Sequence, residues 1–85
     1  MSIEIITQIH LTAFEEYLLR EEKSMATVVK YLRDARAFML YTEGKTVTKE
    51  ITVAYKKSLE NKGYNPRSVN SMLAGLNRFL DFKFR

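Results

Sequence analysis

The chain has 85 residues, of which 46% are hydrophobic and 28% charged, and its formal net charge is +4. This length allows one domain with a single modest core, and no apolar run approaches the ~20 residues that span a bilayer. The N-terminus lacks the pattern of a signal peptide, and the absence of cysteine excludes disulfides and thiolate metal sites, which fits a cytoplasmic protein.

The first predicted elements are an extended lead-in over residues 1–8 and a helix that follows it. This helix begins at about Ile9 or Thr12 and ends at Glu22, because Thr12 starts the spacing of a capping box. Its core-facing positions are Leu11, Phe14, Tyr17 and Leu18. The only histidine, His10, lacks partner ligands for a metal, so we expect it to pack or to be solvated near the helix start.

The second predicted helix runs from Met25 to about Thr42, with Ser24 as its N-cap and Gly44 ending it. Apolar residues recur at steps of three and four, which predicts a buried stripe. The stripe comprises Val28, Tyr31, Leu32, Ala35, Phe38 and Met39. The opposite side is basic and small, with Lys30, Arg33 and Ala37 at its centre and Thr27 and Arg36 at its flanks.

The third predicted helix runs from Lys49 to about Asn61, with Thr48 as its N-cap. Its inward positions are Ile51, Ala54, Tyr55 and Leu59, whereas Lys56 and Lys57 fit a solvated face at least as well as a binding site. The turn that follows contains Gly63, which can adopt the left-handed conformation.

The fourth predicted helix runs from Pro66 to about Asp81 or Lys83, with Asn65 as its cap. Its apolar stripe comprises Val69, Met72, Leu73, Leu76, Phe79 and Leu80, and its opposite face carries Arg67, Asn70, Ser71, Ala74 and Arg78. Ala74 and the neighbouring Gly75 have small side chains or none, so another molecule's backbone can come close to this face. A cationic, hydrogen-bonding face of this shape suits a nucleic-acid groove.

The four stripes can be buried only against one another, which predicts an all-α four-helix bundle. Phe82 and Phe84 near the end are expected to pack against a segment further on.

Residues 1–22 carry five acidic side chains and one basic one, whereas the remainder carries thirteen basic and five acidic ones. This asymmetry favours a polyanionic partner without identifying it. Many solvated surfaces are mildly basic, so the charge alone is better explained by an ordinary surface.

An ordered series of residues resembles a known family. The series begins Phe14, Tyr17, Leu18, Ser24, Thr27, Tyr31, Asp34, Phe38, Tyr41 and continues Thr48, Leu59, Gly63, Arg67, Ser68, Val69, Asn70, Leu73, Leu76, Phe79, Leu80, Phe82. It resembles the N-terminal core-binding domain of tyrosine recombinases, the phage and transposon integrases. The resemblance extends from about Phe14 to Arg85.

The resemblance implies a SAM-like bundle that forms one half of a clamp around double-stranded DNA. In the family, the second and fourth helices of this domain enter the major groove. The DNA-binding candidates carried over by position are Thr27, Lys30, Arg33, Arg67, Ser68, Asn70, Ser71 and Arg78.

The same resemblance implies that residues 1–85 form a single, non-catalytic domain. The family's active site needs arginines, a lysine, histidines and a nucleophilic tyrosine, and these belong to a catalytic domain, which we expect C-terminal to Arg85. Tyr17, Tyr31 and Tyr55 lie on apolar stripes, where a core role explains them. We therefore expect no cofactor and no metal. The expected partners are DNA, the parent catalytic domain and other recombinase protomers, with no membrane and a location on the nucleoid when DNA is bound.

Two alternatives to DNA binding remain open at this point. A small helical protein-interaction domain would use the acidic first helix and the basic remainder to engage protein partners, because SAM-like bundles serve both purposes. A self-contained enzyme is the weaker alternative, since the sequence shows no phosphate loop, metal cluster or nucleophile elbow.

Overall fold

The computed structural model describes residues 5–21 and 23–83, and these residues form four α-helices. The helices are α1 (Gln8–Arg20), α2 (Met25–Thr42), α3 (Lys49–Asn61) and α4 (Pro66–Lys83). Residue 5 of the lead-in forms an isolated antiparallel bridge with Thr46, before α3. The prediction of an all-α bundle is confirmed.

Side-chain caps start α2, α3 and α4 at the predicted residues. The Thr27 amide donates to Ser24 Oγ at 3.2 Å, and the Ile51 amide donates to Thr48 Oγ1 at 3.1 Å. The Asn65 carboxamide oxygen accepts from the Ser68 amide at 2.8 Å. Each bond satisfies an amide that the first turn of a helix leaves without a partner.

The start of α1 differs from the prediction. The helix begins at Gln8 after Thr7, whose amide donates to Nδ1 of His10 at 3.0 Å. Thr12 lies inside the helix, where its hydroxyl donates to the Gln8 carbonyl at 3.1 Å. The expected start at about Ile9 lies within one residue of the observed Gln8, whereas the alternative start at Thr12 is wrong, because an earlier threonine with a histidine partner forms the cap. The predicted end at Glu22 falls outside the described residues.

The connections that follow α2 and α3 reverse direction through left-handed backbone. Gly63 has φ +93°, as predicted, and Gly44 has φ +82°. Helix α2 ends at Thr42, as predicted, and the left-handed backbone begins at Glu43, which has φ +46° and whose amide donates to the Met39 carbonyl at 3.2 Å. Left-handed backbone is accessible to glycine at little steric cost, whereas Glu43 carries some strain.

The core comprises Ile6, Leu11, Phe14, Leu18, Val28, Ala35, Phe38, Tyr55, Leu59, Val69, Leu76 and Phe79, all nearly or fully buried. Most of the predicted stripe residues are buried or pack against this core. Ala54 is an exception because it is exposed. Phe82 also departs from the prediction: it packs within the domain, with ring centroids 5.4 Å from Phe14 and 4.9 Å from Tyr17. Phe84 lies outside the described residues.

Helices α2 and α4 make the most extensive helix pair. Helices α1 and α3 both pack against this pair, and within the described residues they do not touch each other. The α2–α4 pair is therefore the centre of the bundle. None of the helices in the described part of the chain is long and apolar enough to cross a membrane.

Candidate nucleic-acid interface

A cleft of about 430 Å³ lies between α2 and α4. Polar side chains from both helices and from the turn before α4 line it, the basic ones coming from α2, together with two small or flexible apolar residues. The lining residues are Lys30, Arg33, Asp34, Ala37, Tyr64, Ser68, Ser71 and Met72. Four of the predicted DNA-binding residues, two from each helix, thus share one depression.

Lys30 connects the two sides of this cleft. Its ammonium nitrogen lies 2.5 Å from Asp34 Oδ2 on the same helix and 2.7 Å from the Ser71 carbonyl oxygen on α4. The nitrogen also stands 5.7 Å from the centroid of the Tyr31 ring. The Lys30 side chain remains 31% exposed, so a ligand in the cleft can still meet it.

Asp34 is the buried partner in this arrangement, with a residue exposure of 4%. It packs directly against Gly75 of α4: a Cβ added there would lie 2.9 Å from both Cβ and Cγ of Asp34. The predicted role of Gly75 is therefore wrong. This glycine is buried and makes room for a carboxylate of α2, instead of leaving an outer face low for another backbone.

The other predicted DNA-binding residues lie around the cleft or at some distance from it. Arg67 and Asn70 are exposed on the first turns of α4, and Arg78 is half-buried two turns after Ser71. Neither these three residues nor Thr27 line the cleft. Thr27 is half-buried at the start of α2, where its hydroxyl oxygen accepts from Ser24 Oγ at 3.0 Å.

Sequence reasoning missed Asp34, Tyr64 and Met72 as parts of the cleft. The spacing of Lys30 and Asp34, four residues apart on one helix, is typical of an ion pair and was available as a signal. Its burial was not available, because a polar residue beside an apolar stripe is ordinarily expected at the surface.

The electrostatic effect of Asp34 extends to α3. Burial raises the pKa of the Tyr55 phenol above its usual value of 10.0, and the negative charge of Asp34 and the neighbouring Tyr64 raise it further. Residue Tyr55 is 3% exposed, and its ring centroid lies 5.1 Å from that of Phe38. This tyrosine is a core residue in a neutral state at physiological pH.

The described residues contain no group of three or more His, Asp or Glu side chains placed to hold a metal ion. The side chains that line the cleft offer hydrogen bonding and charge. Ammonium, guanidinium and hydroxyl groups of this kind bind phosphate oxygens and the edges of bases.

Comparison with protein families identifies the class to which this helical bundle belongs. The family model for the phage integrase N-terminal SAM-like domain matches residues 11–85. The chain belongs to this family, as the ordered residue series predicted. Searches of the curated proteins and of the solved structures each found no significant match.

Proposed function

We propose that this chain binds double-stranded DNA through the cleft and rim formed by α2 and α4, as the core-binding domain of a tyrosine recombinase. The observation that carries the proposal is the convergence of Lys30 and Arg33 from α2 with Ser68 and Ser71 from α4 at one cleft. Family membership supports the same assignment. A basic face made by two adjacent helices fits a duplex, because phosphates flank each groove on both sides.

Phosphate contacts and base contacts fall to different residues in this proposal. Arg33 and Arg78 would neutralise phosphates and so set affinity and salt dependence. Arg67 and Asn70 are exposed on the first turns of α4 and would reach base edges, since arginine prefers guanine and asparagine prefers adenine in the major groove. Ser68 and Ser71 would hydrogen-bond to phosphates beside the cleft.

In this proposal the domain holds DNA and does not cut it. Strand cleavage and rejoining would belong to a catalytic domain C-terminal to Arg85, and other protomers of the same recombinase would complete the assembly on the nucleoid. Tyr55 is unsuited to a nucleophilic role, since its burial and raised pKa are opposite to what a nucleophilic tyrosine needs.

The decisive experiment is a salt titration of duplex binding by the wild-type domain and by the double variant Arg33→Ala/Arg67→Ala. Both arginines are exposed, so their removal should leave the fold intact. We expect lower affinity, together with a salt slope that is smaller by about 0.9, because Arg33 contributes one phosphate contact and Arg67 is assigned to a base edge. A slope that falls by about 1.8 would place Arg67 on a phosphate as well.

The matched control is Lys56→Ala/Lys57→Ala on the exposed side of α3. It removes the same formal charge from a helix outside the proposed interface, so its salt slope should remain that of the wild type. Equal slopes and affinities for the two double variants would contradict the proposed interface. Lys30 is unsuitable for this test, because its removal would leave the buried Asp34 without its cation.

A protein partner is the second candidate, because exposed apolar side chains recur along α2. Met25 is 62% exposed, Val29 54% and Leu40 63%. Amide shift mapping by NMR with added duplex separates the two functions. DNA binding predicts shifts clustered on α2 and α4, whereas a domain that binds only proteins would show none.

A further inference from the structure

A hydrogen-bonded contact between the two central helices is built around Asp34, a residue that the proposed DNA contacts do not explain. Asp34 is nearly buried, and its carboxylate holds the ammonium group of Lys30, which also donates to the main-chain carbonyl of Ser71. Gly75 follows Ser71 by one helical turn and faces Asp34 without a side chain between them. We call Lys30, Asp34 and Gly75 the interhelical clasp.

We propose that this clasp sets the separation of α2 and α4, and with it the position in which the two helices meet a duplex, so that Asp34 is a positioning residue for DNA binding. The inference rests on the proposed function. It assigns to a buried acidic residue a favourable effect on the binding of a polyanion, which is the opposite of what its charge alone would do.

The geometry explains why the clasp fixes a distance. The ammonium group of Lys30 bonds both helices at once, at 2.5 Å to Asp34 and 2.7 Å to the Ser71 carbonyl. Gly75 limits the approach from the other side, because any Cβ there would collide with Asp34. Attraction through Lys30 and close contact at Gly75 together allow one separation, since packed interiors have little free space.

Because Asp34 is buried, its carboxylate also needs the Lys30 ammonium group in a defined position. A carboxylate that loses most of its water needs a cation and well-placed donors. Lys30 supplies the cation from the same helix and fills the gap to α4. A neutral residue at position 34 would free the lysine to move into solvent, and the tie to Ser71 would then be lost.

The test compares Asp34→Asn with Asp81→Asn. Asp81 is an exposed carboxylate on α4, and its replacement changes the net charge by the same amount. Charge alone predicts that both variants bind a short mixed-sequence duplex somewhat more tightly than the wild type. The clasp predicts that Asp34→Asn binds roughly tenfold more weakly, because displaced helices lose contacts, whereas Asp81→Asn does not. Circular dichroism and amide spectra would verify that each variant is folded.

Gly75→Ala is the second variant and leaves the charge unchanged. It keeps both Lys30 and Asp34 but forces the helices apart, so duplex affinity should again fall by roughly tenfold. If Asp34→Asn does not fold, this variant together with Asp81→Asn decides the question.

A DNA-independent measurement separates failure of the clasp from failure of the proposed function. Because the sequence has no cysteine, spin labels can be placed on Ala26→Cys and Ala74→Cys, at exposed positions of α2 and α4. The label separation should change in Asp34→Asn and Gly75→Ala and stay constant in Asp81→Asn. An unchanged separation, or duplex binding by the folded clasp variants as tight as that of the wild type, would overturn the inference. A wild-type domain that binds no duplex would overturn the proposed function and this inference with it.

Discussion

At the scale of single residues, polarity alone did not reveal which side chains are buried. Helical spacing predicts Val28, Ala35 and Phe38 as core, and all three are fully or almost fully buried. It gives no reason to bury Asp34 or to turn Gly75 inward. Their burial depends on a cation reaching from one turn away and on a backbone contact between two helices, and neither is visible in the periodicity of one helix.

Tyr55 gives a pH-dependence prediction at this scale. Its pKa is raised in the folded state, mainly by burial and then by Asp34, so folding favours the neutral phenol. This contribution to stability is complete below the unfolded pKa of about 10 and is lost as the pH rises through the higher folded value. We therefore expect the free energy of unfolding of the wild type to fall more steeply above about pH 10 than that of Tyr55→Phe.

Urea unfolding at a series of alkaline pH values measures this difference. Tyr31→Phe is the control, because it removes a hydroxyl from a half-buried tyrosine outside the ring contacts of Tyr55. It should retain the alkaline loss of the wild type. Parallel curves for the wild type and Tyr55→Phe would refute the assignment.

At the scale of the helices, local capping signals predicted three of the starts in the described chain and missed one. Ser24, Thr48 and Asn65 each stand directly before an apolar stripe and cap as predicted. The first helix offers two threonines, and the capping-box rule selects Thr12 because a glutamate follows it. Thr7 caps instead with His10 as the partner, and histidine is not a residue that the rule seeks.

A pair of alanine substitutions tests this assignment of caps. Asn65→Ala removes the acceptor of the Ser68 amide and should lower stability by about 1 kcal/mol, equivalent to about 4–8 °C in Tm for a domain of this size. Thr12→Ala should cost little, because its exposed hydroxyl bonds a carbonyl inside the helix. Thermal unfolding of both variants is the measurement, and a larger loss for Thr12→Ala would reverse the assignment.

At the scale of the whole molecule, the end of α4 closes the bundle against α1. The sequence predicts that Phe82 packs against a segment further along the chain, because an aromatic residue near the end of the sequence has no obvious packing partner. In the fold it joins Phe14 and Tyr17 in one aromatic cluster. The cationic faces of α2 and α4 were predictable from helical spacing, whereas the cleft that joins them depends on how the two helices cross.

Phe82→Ala should therefore destabilise the domain without changing its DNA contacts. Since Phe82 is half-buried, we expect a loss of about 2 kcal/mol, below the roughly 3–5 kcal/mol of a fully buried phenylalanine. Chemical denaturation gives this loss, with Leu40→Ala as a control at an apolar residue that is 63% exposed. Equal stabilities for the two variants would show that Phe82 contributes nothing to closing the bundle.

The Lys30–Asp34 ion pair also shapes the field that a nucleic acid would meet. Because the two charges nearly cancel each other, the part of the cleft around Lys30 carries little net charge, and the remaining positive charge of the cleft is that of Arg33. In the proposed complex, Arg33 would attract a sugar–phosphate strand. The nearly neutral part of the cleft would contact the duplex through shape and hydrogen bonding instead of net charge.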